Sequence, residues 1–390
     1  MNIGIFTDTY PPEINGVATS CEMLKKTLES HGHNVFIVTT NPFSNKMEYH
    51  DKILRIPGLL LKKLYNYRLA WVFHPRATRI IKSWHLDIIH VQTEGGVGLY
   101  GRLLPRTLKL PLIYTYHTMY VDYTYYVTKG VMDQSVKTIV KKISKVLCES
   151  CDEFTTPSEK TKDALRSYGV ERYINVVPNG IDLEKFERSK ENEDRIKRYR
   201  KEHDLEDTKI LLSLGRVAQE KSIDVLIKGY SLFLAKKPSI KTKLLIVGDG
   251  PDRANLEKLV CDLNIVDNVE FIGKVPYQDV PFFYQLADLY LSASTSETQG
   301  LTFIESIASK TLVLCRFDEN LIDIIKENIT GFYFSSEENF ALKVEQILQI
   351  SKEETEKIKN VAYKINKKYS LESFYENMME VYKRARRKKW

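Results

Sequence analysis

Two carboxylates flank a glycine within residues 294–309, which read STSETQGLTFIESIAS. Glu297 precedes Gln299 and Gly300, and Glu305 lies on the apolar run that follows. That run predicts a helix beginning after Gly300, so the unpaired N–H groups of its first turn and the positive end of its dipole face outward between the two acids. A helix start of this kind attracts phosphate, and carboxylates accept hydrogen bonds from hydroxyl groups. The spacing therefore predicts a site for a sugar joined to phosphate.

Two cations follow a strand-like run at residues 210–214: Arg216 and Lys221, five positions apart on one loop. Arginine offers a rigid fork for paired hydrogen bonds and lysine a mobile point charge, a combination that suits a diphosphate and stabilises it as it departs. The alternative is a pair of solvated surface cations. The position of Arg216 and Lys221 favours a diphosphate site, because their loop and the Glu297 loop both follow strands of the same predicted sheet.

The first half of the chain contributes further candidates. His117 directly follows a strand-like run at residues 112–116. The sequence leaves two roles open for it, contact with a ligand and a purely structural role. Gly16 stands before a predicted helix, where its missing side chain lets phosphate approach the backbone, although a plain turn explains it equally. Tyr123 and Tyr126 follow His117 and are candidates to line an acceptor pocket.

The sequence also bears on two further ligands, a nucleotide base and a metal ion. A loop at the end of another predicted strand contains Gly273, Lys274 and Val275. Loops of this kind hold a flat base through backbone contacts; the alternative is a simple turn. No Asp-x-Asp pair occurs to hold a divalent metal on a diphosphate. The sequence thus requires no cofactor and predicts no metal ligand, and it leaves dependence on a divalent metal open.

The elements that must position these residues follow a βαβ rhythm. Strand-like runs occur at residues 3–6, 35–39, 88–91, 112–116 and 174–177, and again at 210–214, 244–247, 269–272, 289–292 and 312–314. Helical patterns separate them, which predicts mostly parallel sheets covered on both faces. We predict an α/β fold of two Rossmann-like doubly wound domains facing a cleft, at residues 1–180 and 181–369, with a last helix at about 370–390 packing back on the first. Ligands should bind at the carboxyl ends of the strands.

Composition indicates the compartment. The five cysteines are scattered, and the Cys148–Cys151 spacing lies in a helical pattern, so buried thiols in a reducing cytosol are expected. The N-terminus shows no signal-peptide pattern, and no apolar run is long enough to span a membrane. We expect a cytoplasmic protein that touches the cell membrane peripherally, on its inner face.

The net charge of +7 lies entirely in the first half. Residues 1–180 carry 23 Lys and Arg against 16 Asp and Glu, and the rest of the chain carries 35 of each. Clustered cations attract either nucleic acid or an anionic membrane. Residues 59–84 contain no acid and interleave cations with aromatic and aliphatic residues, which is typical of an interfacial helix and favours the membrane over nucleic acid.

Pro75 interrupts this segment and predicts two short helices, or a loop and then a helix; the alternative is an ordinary surface helix packed on the sheet. The predicted membrane and acceptor residues are Lys62, Lys63, Tyr65, Tyr67, Arg68, Trp71, Arg76, Arg79, Lys82, Trp84, Tyr123 and Tyr126.

The chain resembles the retaining glycosyltransferases of family 4, which have the GT-B fold, in residues spread over its length: Gly16, His117, Arg216, Lys221, Glu297, Gly300 and Glu305. Within that family it is similar to the bacterial membrane-associated 1,2-diacylglycerol 3-glucosyltransferases, through residues 123–129 (YTYYVTK), 220–226 (EKSIDVL), 298–302 (TQGLT) and 316–321 (RFDENL). Many members place Gly and Pro before the next strand, where this chain has Lys310 and Leu312. That departure affects only a turn.

The resemblance implies a role for each residue. Glu297 would hold hydroxyls of the donor sugar, Glu305 the ribose, and Arg216 with Lys221 the diphosphate. The amides of Gly300 and Leu301, beside Gln299, would contact sugar or phosphate oxygens. His117 would meet the sugar near its C6 hydroxyl, Gly16 would touch phosphate, and the loop of Gly273, Lys274 and Val275 would hold the uracil. The predicted catalytic residues are His117, Arg216, Lys221 and Glu297.

The resemblance also implies a reaction: transfer of α-glucose, with retention, from UDP-glucose to 1,2-diacylglycerol at an anionic membrane surface, giving monoglucosyldiacylglycerol. Other acceptors within the family are a phosphatidylinositol, a glycolipid or a soluble sugar. Outside it, a non-catalytic protein that binds anionic membranes is the alternative. Glucose and galactose are both open as the transferred sugar.

Overall fold

Parallel β-strands rich in branched aliphatic residues form the centre of the structure. The computed structural model describes residues 1–13, 15–61, 67–117, 133–295, 297 and 299–389. The chain divides into two units, the first made of residues 1–180 and 371–390 and the second of residues 181–370. Each unit has its own central sheet.

The first unit contains ten strands in its described residues: β1 Asn2–Phe6, β2 Asn34–Thr40, β3 Glu48–His50, β4 Ile53–Ile56, β5 Gly58–Leu61, β6 Tyr67–Ala70, β7 Ile88–Val91, β8 Leu112–Thr115, β9 Glu153–Thr156 and β10 Asn175–Val176. Eight form one sheet in the order β10-β9-β8-β7-β1-β2-β4-β3, in which β3 and β4 pair antiparallel and the other neighbours are parallel. β5 and β6 form a separate antiparallel pair. β7, β8 and β9 are buried at every position, as expected for a parallel sheet covered on both faces.

Helices cover this sheet on both sides. They are α1 Gly16–Ser30, α2 Pro75–Ser83, α3 Gly96–Leu108, α4 Asp133–Glu149, α5 Glu159–Ser167 and the C-terminal helix Leu371–Lys389. Two separate apolar clusters result, one on each face of the sheet.

The second unit has a six-stranded parallel sheet. Its strands are β11 Lys209–Leu214, β12 Thr242–Val247, β13 Val269–Gly273, β14 Leu289–Ser292, β15 Leu312–Arg316 and β16 Phe332–Phe334, in the order β13-β12-β11-β14-β15-β16. Its α-helices are α6 Lys190–Glu202, α7 Ile223–Ala235, α8 Arg253–Asp262, α9 Val280–Leu286, α10 Leu301–Ala308, α11 Glu337–Leu348 and α12 Lys352–Asn366. Short 3-10 helices lie at Leu183–Phe186, Gln219–Lys221, Val266–Asn268, Tyr277–Asp279, Glu319–Leu321 and Lys367–Tyr369.

The predicted α/β class with two mostly parallel sheets is confirmed. Residues 59–84 differ from the prediction, because the segment contains β5 and β6 and is helical only from Pro75 onward within the described residues. Proline suits the first position of a helix, where its missing N–H is not needed. The ring of His74 completes the helix start by accepting a hydrogen bond from the N–H of Ala77 at 3.3 Å.

The C-terminal helix belongs to the first unit and packs on one face of its sheet. Its buried residues recur every three or four positions, as an amphipathic helix requires; they are Phe374, Met378, Val381, Tyr382 and Ala385. They share one apolar cluster with α1 and with strands β1, β2 and β7.

Glu153, on β9, anchors the basic end of this helix. Its Oε1 lies 2.7 Å from Nζ of Lys388, and Nε of Arg384 lies 3.8 Å from its Oε2. The amide of Asn175 also donates to Oε2 at 2.9 Å. Burial acts to raise the pKa of Glu153, but the hydrogen bonds from Lys388 and Asn175 and the nearby cations outweigh it and hold this pKa below its usual range.

We predict that Glu153→Gln lowers the free energy of unfolding at pH 7 by about 1–3 kcal/mol, because a charged acceptor of several hydrogen bonds is lost. A depressed folded-state pKa gives stability that is present above the unfolded value of 4.5 and lost as pH falls through the folded value. The difference between the two proteins should therefore shrink below pH 4.5 in urea titrations.

The matched control is Lys383→Ala on the same helix, which removes only an exposed pair with Glu380 at 2.8 Å. Such pairs contribute about 0–1 kcal/mol. Equal destabilisation by Glu153→Gln and Lys383→Ala would contradict the role given to Glu153.

Candidate active site

Three strand-end loops of the second unit are joined through their backbones. The N–H of Gly215, after β11, donates to the carbonyl of Val247 at 2.9 Å, and the N–H of Gly248 donates to the carbonyl of Gly273 at 2.8 Å. Gly248 has a φ of +130°, and a Cβ there would lie 1.8 Å from the carbonyl oxygen of Gly215. Only glycine fits so close an approach, so the loop after β11 has a fixed starting point.

Lys221 and Glu297, both predicted donor ligands, form an ion pair. Nζ of Lys221 lies 2.6 Å from Oε1 of Glu297, and the two side chains are 31% and 13% exposed. They come from the loops after β11 and β14, which are neighbours in the sheet. Partial burial strengthens such a pair because less water screens it. Arg216 is half-exposed, with Nη1 3.7 Å from Oε1 of Glu220. The structure therefore brings Lys221 together with the first predicted acid, and Arg216 lies on the same loop as Lys221.

Gly300 starts α10 in a conformation that favours glycine. Its φ is +76°, and a Cβ would lie 2.8 Å from Cδ2 of Leu321. Gln299, just before it, is buried, and Leu301 is the first residue of the helix. The predicted helix start between the two acids is present, and its first amides remain candidates to bind an anion.

Glu305, the second acid, is buried on α10 and is only 6% exposed. The phenol of Tyr277 donates to its Oε1 at 3.1 Å, and the phenol of Tyr284 donates to its Oε2 at 3.2 Å. Burial raises the pKa of Glu305 to about 7, against a lowering effect of the two phenols and of Lys185. A carboxyl of this kind changes charge near neutral pH. Sequence reasoning missed both tyrosines.

The predicted base-binding loop leads directly to this carboxyl. Gly273 ends β13 with a φ of +86°, Lys274 is exposed, and Val275 packs against the core of the unit. Tyr277 follows two positions later, and Nζ of Lys185 lies 4.1 Å from the centre of its ring. Tyr277 thus connects the loop predicted for the base with the acid predicted for the ribose.

In the first unit, His117 follows β8 and is 7% exposed. Its Nε2 lies 2.6 Å from Oε1 of Gln92, a buried residue that sequence reasoning missed. Burial lowers the pKa of His117 to about 4, so the ring is neutral at physiological pH. Gly16 begins α1, and Asn15 before it caps the helix by accepting the N–H of Ala18 at 2.9 Å. Both predicted residues therefore stand at element ends, as expected.

A glycine-rich run at residues 96–101 (GVGLYG) opens α3 and has the pattern G-x-G-x-x-G, which sequence reasoning overlooked. A Cβ at Gly96 would lie 2.0 Å from the carbonyl oxygen of Ala70. The helix start is already occupied by Asp8, whose Oδ1 accepts the N–H of Val97 at 2.9 Å. The run therefore serves close packing, with a carboxylate of the protein where an anion would bind.

The predicted membrane residues have different placements. Lys62, Lys63, Tyr65, Tyr123 and Tyr126 lie outside the described residues. Arg76, Arg79 and Lys82 are exposed on α2, and Trp71 just before it is 62% exposed. Tyr67 begins β6, and Arg68 donates to the carbonyl of Gly58 at 3.4 Å across the β5–β6 pair.

The prediction for Trp84 is wrong. Its indole is only 6% exposed, with the ring stacked on Phe36 at 4.7 Å between centres. Its Nε1 donates to the hydroxyl of Tyr49 at 3.1 Å. This side chain belongs to the core and is not available to a membrane.

Neither a metal centre nor a membrane span is found in the part of the chain that the structure describes. No group of three or more His, Cys, Asp and Glu side chains there is arranged to hold a metal ion. No helix within the same residues has the length and apolar character needed to cross a membrane.

We predict that Glu305→Gln stabilises the protein at pH 8. A carboxyl with a folded-state pKa of about 7 gives full stability below its unfolded value of 4.5, and that stability is lost as pH rises through the folded value. The glutamine variant has no such loss and should exceed the wild type by about 1–3 kcal/mol at pH 8, with little difference near pH 4.5. Urea unfolding at the two pH values measures this.

The control is Glu345→Gln, at an exposed carboxylate 3.3 Å from Nζ of Lys236, where little change is expected at either pH. If Glu305→Gln followed the same pH dependence as the wild type, ionisation of Glu305 would not be the cause.

Comparison with known proteins identifies the family. Residues 14–185 match the model of Glycosyltransferase Family 4, and residues 195–365 match that of Glycosyl transferases group 1. The alpha-monoglucosyldiacylglycerol synthase of Streptococcus pneumoniae strain R6 is 39% identical over 343 residues, covering 87% of this chain and 77% of that protein. The enzyme of the same name from Acholeplasma laidlawii is 31% identical over 355 residues, covering 90% and 88%.

Solved structures share the fold. HepE of Anabaena, in complex with UDP-glucose, has a TM-score of 0.75 at 15% identity and covers 97% of this chain and 98% of its own. Sucrose-phosphate synthase from Thermosynechococcus elongatus has a TM-score of 0.75 at 19% identity and covers 98% of each chain. The predicted GT-B fold is confirmed, and the matches in both units together with the two synthases show that this chain belongs to glycosyltransferase family 4.

Proposed function

We propose that this protein transfers α-glucose from UDP-glucose to the free hydroxyl of 1,2-diacylglycerol, giving monoglucosyldiacylglycerol and UDP with retention at the sugar carbon. The similarity to two alpha-monoglucosyldiacylglycerol synthases supports this acceptor. The donor is supported by the Lys221–Glu297 pair and by α10, which starts at Gly300 and carries Glu305. This grouping of cation, acids and helix start in one unit is the observation that carries the proposal.

Each donor group has a proposed ligand. Arg216 and Lys221 contact the diphosphate, and Glu297 accepts hydrogen bonds from hydroxyls of the glucose. Glu305 accepts hydrogen bonds from the ribose hydroxyls, and the hydrogen bonds that it accepts from Tyr277 and Tyr284 fix its position. The amides of the α10 start contact sugar or phosphate oxygens, and the loop after β13 holds the uracil. In the first unit, His117 is proposed to meet the C6 hydroxyl and Gly16 the phosphate.

The proposed reaction uses no protein nucleophile. The bond between C1 of glucose and the diphosphate oxygen breaks through an oxocarbenium-like state, and the acceptor oxygen forms its bond to C1 on the same face. The acceptor proton passes to the leaving phosphate oxygen. Negative charge grows on the diphosphate as its bond to C1 breaks, so Arg216 and Lys221 contribute most of the stabilisation. Glu297, already paired with Lys221, is suited to hold hydroxyls.

A lipid acceptor requires contact with a membrane, and charge supports the first unit for this role. That unit carries 29 Lys and Arg against 19 Asp and Glu, whereas the second carries 29 against 32. A positive excess attracts the anionic lipids of the inner leaflet. We infer peripheral binding of the first unit to the inner face of the cell membrane.

The apolar contacts for such binding are exposed on α4. Ile139, Ile143 and Val146 are 56%, 53% and 65% exposed, and their spacing puts them on one face of the helix. Cys148, on the opposite side, is buried, and Lys142 is exposed beside the apolar stripe. Aliphatic side chains bordered by lysines enter the headgroup region while the lysines meet anionic phosphates.

The function is tested by incubating the full chain with radiolabelled UDP-glucose or UDP-galactose and vesicles of diacylglycerol, with and without anionic lipid. The proposal expects a labelled α-glucosyl lipid from UDP-glucose, with more product on anionic vesicles. A galactosyl lipid would show that the donor differs from the one proposed. A product on a phosphatidylinositol, a glycolipid or a soluble sugar would show that the acceptor differs. Absence of both transfer and UDP-glucose hydrolysis, with vesicle binding intact, would favour a non-catalytic membrane protein.

We predict that Arg216→Ala and Lys221→Ala each lower kcat by about 100-fold or more, equivalent to about 3 kcal/mol of transition-state stabilisation. Initial-rate assays with UDP-glucose measure this. The control is Lys228→Ala on α7, which removes a lysine whose Nζ is 2.9 Å from Asp224 and should leave kcat near the wild-type value. Near-normal turnover of both site variants would refute the assignment of the diphosphate ligands.

We predict that Ile143→Glu weakens binding to anionic vesicles several-fold in co-sedimentation, because an acid replaces an inserting aliphatic group. Ile329→Glu is the control, since Ile329 is 52% exposed in the second unit. Equal binding by the two variants would show that α4 does not contact the membrane.

A further inference from the structure

A chain of buried polar side chains in the first unit ends at His117. Nδ1 of His90 lies 2.9 Å from the hydroxyl of Tyr382 on the C-terminal helix, and its Nε2 lies 2.7 Å from Oγ1 of Thr115. Gln92 lies between the two histidines. Its Nε2 lies 3.2 Å from Nδ1 and 3.1 Å from Nε2 of His90, and its Oε1 lies 2.6 Å from Nε2 of His117. All five of these side chains are buried.

This arrangement determines which ring nitrogen of His117 carries the proton. With its Nε2 turned to His90, Gln92 presents its amide oxygen to His117. That oxygen can only accept a hydrogen bond, so in this orientation Nε2 of His117 donates. Burial keeps the ring neutral, with a pKa of about 4, and a neutral imidazole has one N–H and one lone pair. Nδ1 therefore carries the lone pair, and no hydrogen bond to it is formed within the described residues.

Among the described residues, the titratable groups in this chain of side chains do not oppose this state. His90 lies across Gln92, and burial, followed by the charge His117 would carry, lowers its pKa to about 3. Tyr382, beyond His90, has a pKa raised above its usual value, chiefly by burial. Both groups are uncharged at neutral pH, so neither favours the imidazolium form of His117.

We propose that Gln92 is a positioning residue that fixes His117 as the neutral Nε2–H tautomer, so that Nδ1 accepts a hydrogen bond from a hydroxyl of the transferred sugar. The identity of the ligand rests on the proposed function, whereas the tautomer rests on the ligand-free contacts alone. The arrangement favours a sugar group that donates a proton. A carboxylate at the same position is disfavoured because two lone pairs would face each other.

The tautomer is tested by NMR on the ligand-free full chain with 15N-labelled histidine, using two-bond couplings between ring protons and nitrogens. The signals absent in His117→Asn assign the ring. We expect an unprotonated Nδ1 and a protonated Nε2 at pH 7, unchanged when UDP is added. A protonated Nδ1 in the wild type would overturn the proposal.

Gln92→Met tests the cause, because methionine has a similar size and no strong acceptor. We expect the single tautomer signature to be lost and KM for UDP-glucose to rise about five- to tenfold, with a smaller change in kcat. Gln92→Glu restores an acceptor but adds charge, so it should recover the Nε2–H signature and raise the pH at which the ring protonates. The signature surviving in Gln92→Met would refute the role of Gln92.

The control is Gln285→Met in the second unit, where a buried glutamine donates to the carbonyl of Phe186 at 3.0 Å. It should lower stability and leave the His117 spectrum unchanged. The two proposals fail separately. A protein with the expected tautomer and no transfer from UDP-glucose refutes the function alone, whereas transfer with a protonated Nδ1 refutes only the positioning by Gln92.

Discussion

Backbone contact without an intervening side chain is the constraint on which the second unit depends. Gly248 approaches the carbonyl of Gly215 so closely that a Cβ would lie 1.8 Å away, and the loops after β11 and β12 are thereby joined. A site that acts by charge must hold its cations in place before the ligand arrives, since reorganisation during the reaction would cancel the gain. The rigid start of the β11 loop provides this order, and the ion pair of Lys221 with Glu297 maintains it without a ligand.

Burial acts on both units in the same way, although it shifts two pKa values in opposite directions. It raises the pKa of Glu305 and lowers that of His117, and in each case the neutral form gains. Both groups are held by neutral partners, the phenols of Tyr277 and Tyr284 for the acid and the amide of Gln92 for the ring. The hydrogen bonds from these neutral partners orient the acid and the ring without adding a formal charge. The two cations that the proposal places at the diphosphate, Arg216 and Lys221, lie on one loop, and negative charge develops there in the proposed reaction.

Local patterns predicted the interior of the fold and missed its edges. The strands at residues 88–91 and 289–292 have the predicted bounds, because a parallel strand buried on both faces is a continuous apolar run. β3 and β16 have three residues each, too few for any period to appear. Local patterns also could not predict contacts between positions that are distant in the sequence. Trp84 stacks on Phe36, and Glu305 accepts a hydrogen bond from a tyrosine 28 positions away. Most site residues predicted from spacing lie on loops after strands or at helix starts, whereas the partners that hold Glu305 and His117 come from other elements and were not predicted.

The two units differ in net charge, and this difference bears on two kinds of binding, that of the proposed nucleotide and that of a membrane. The second unit carries slightly more acids than cations, so long-range attraction does not assist an anionic nucleotide there. In the proposed function, the affinity for the nucleotide must come from short contacts, such as the helix start at Gly300 and Lys221 beside Glu297, which water and salt screen only partly. The first unit has the opposite character, with a positive excess that acts over about 8 Å at physiological ionic strength and an apolar stripe on α4. Salt should therefore weaken attraction to an anionic surface more than it weakens binding of the proposed donor. Surface charge on the first unit can change without altering the geometry of the proposed ligands in the second unit.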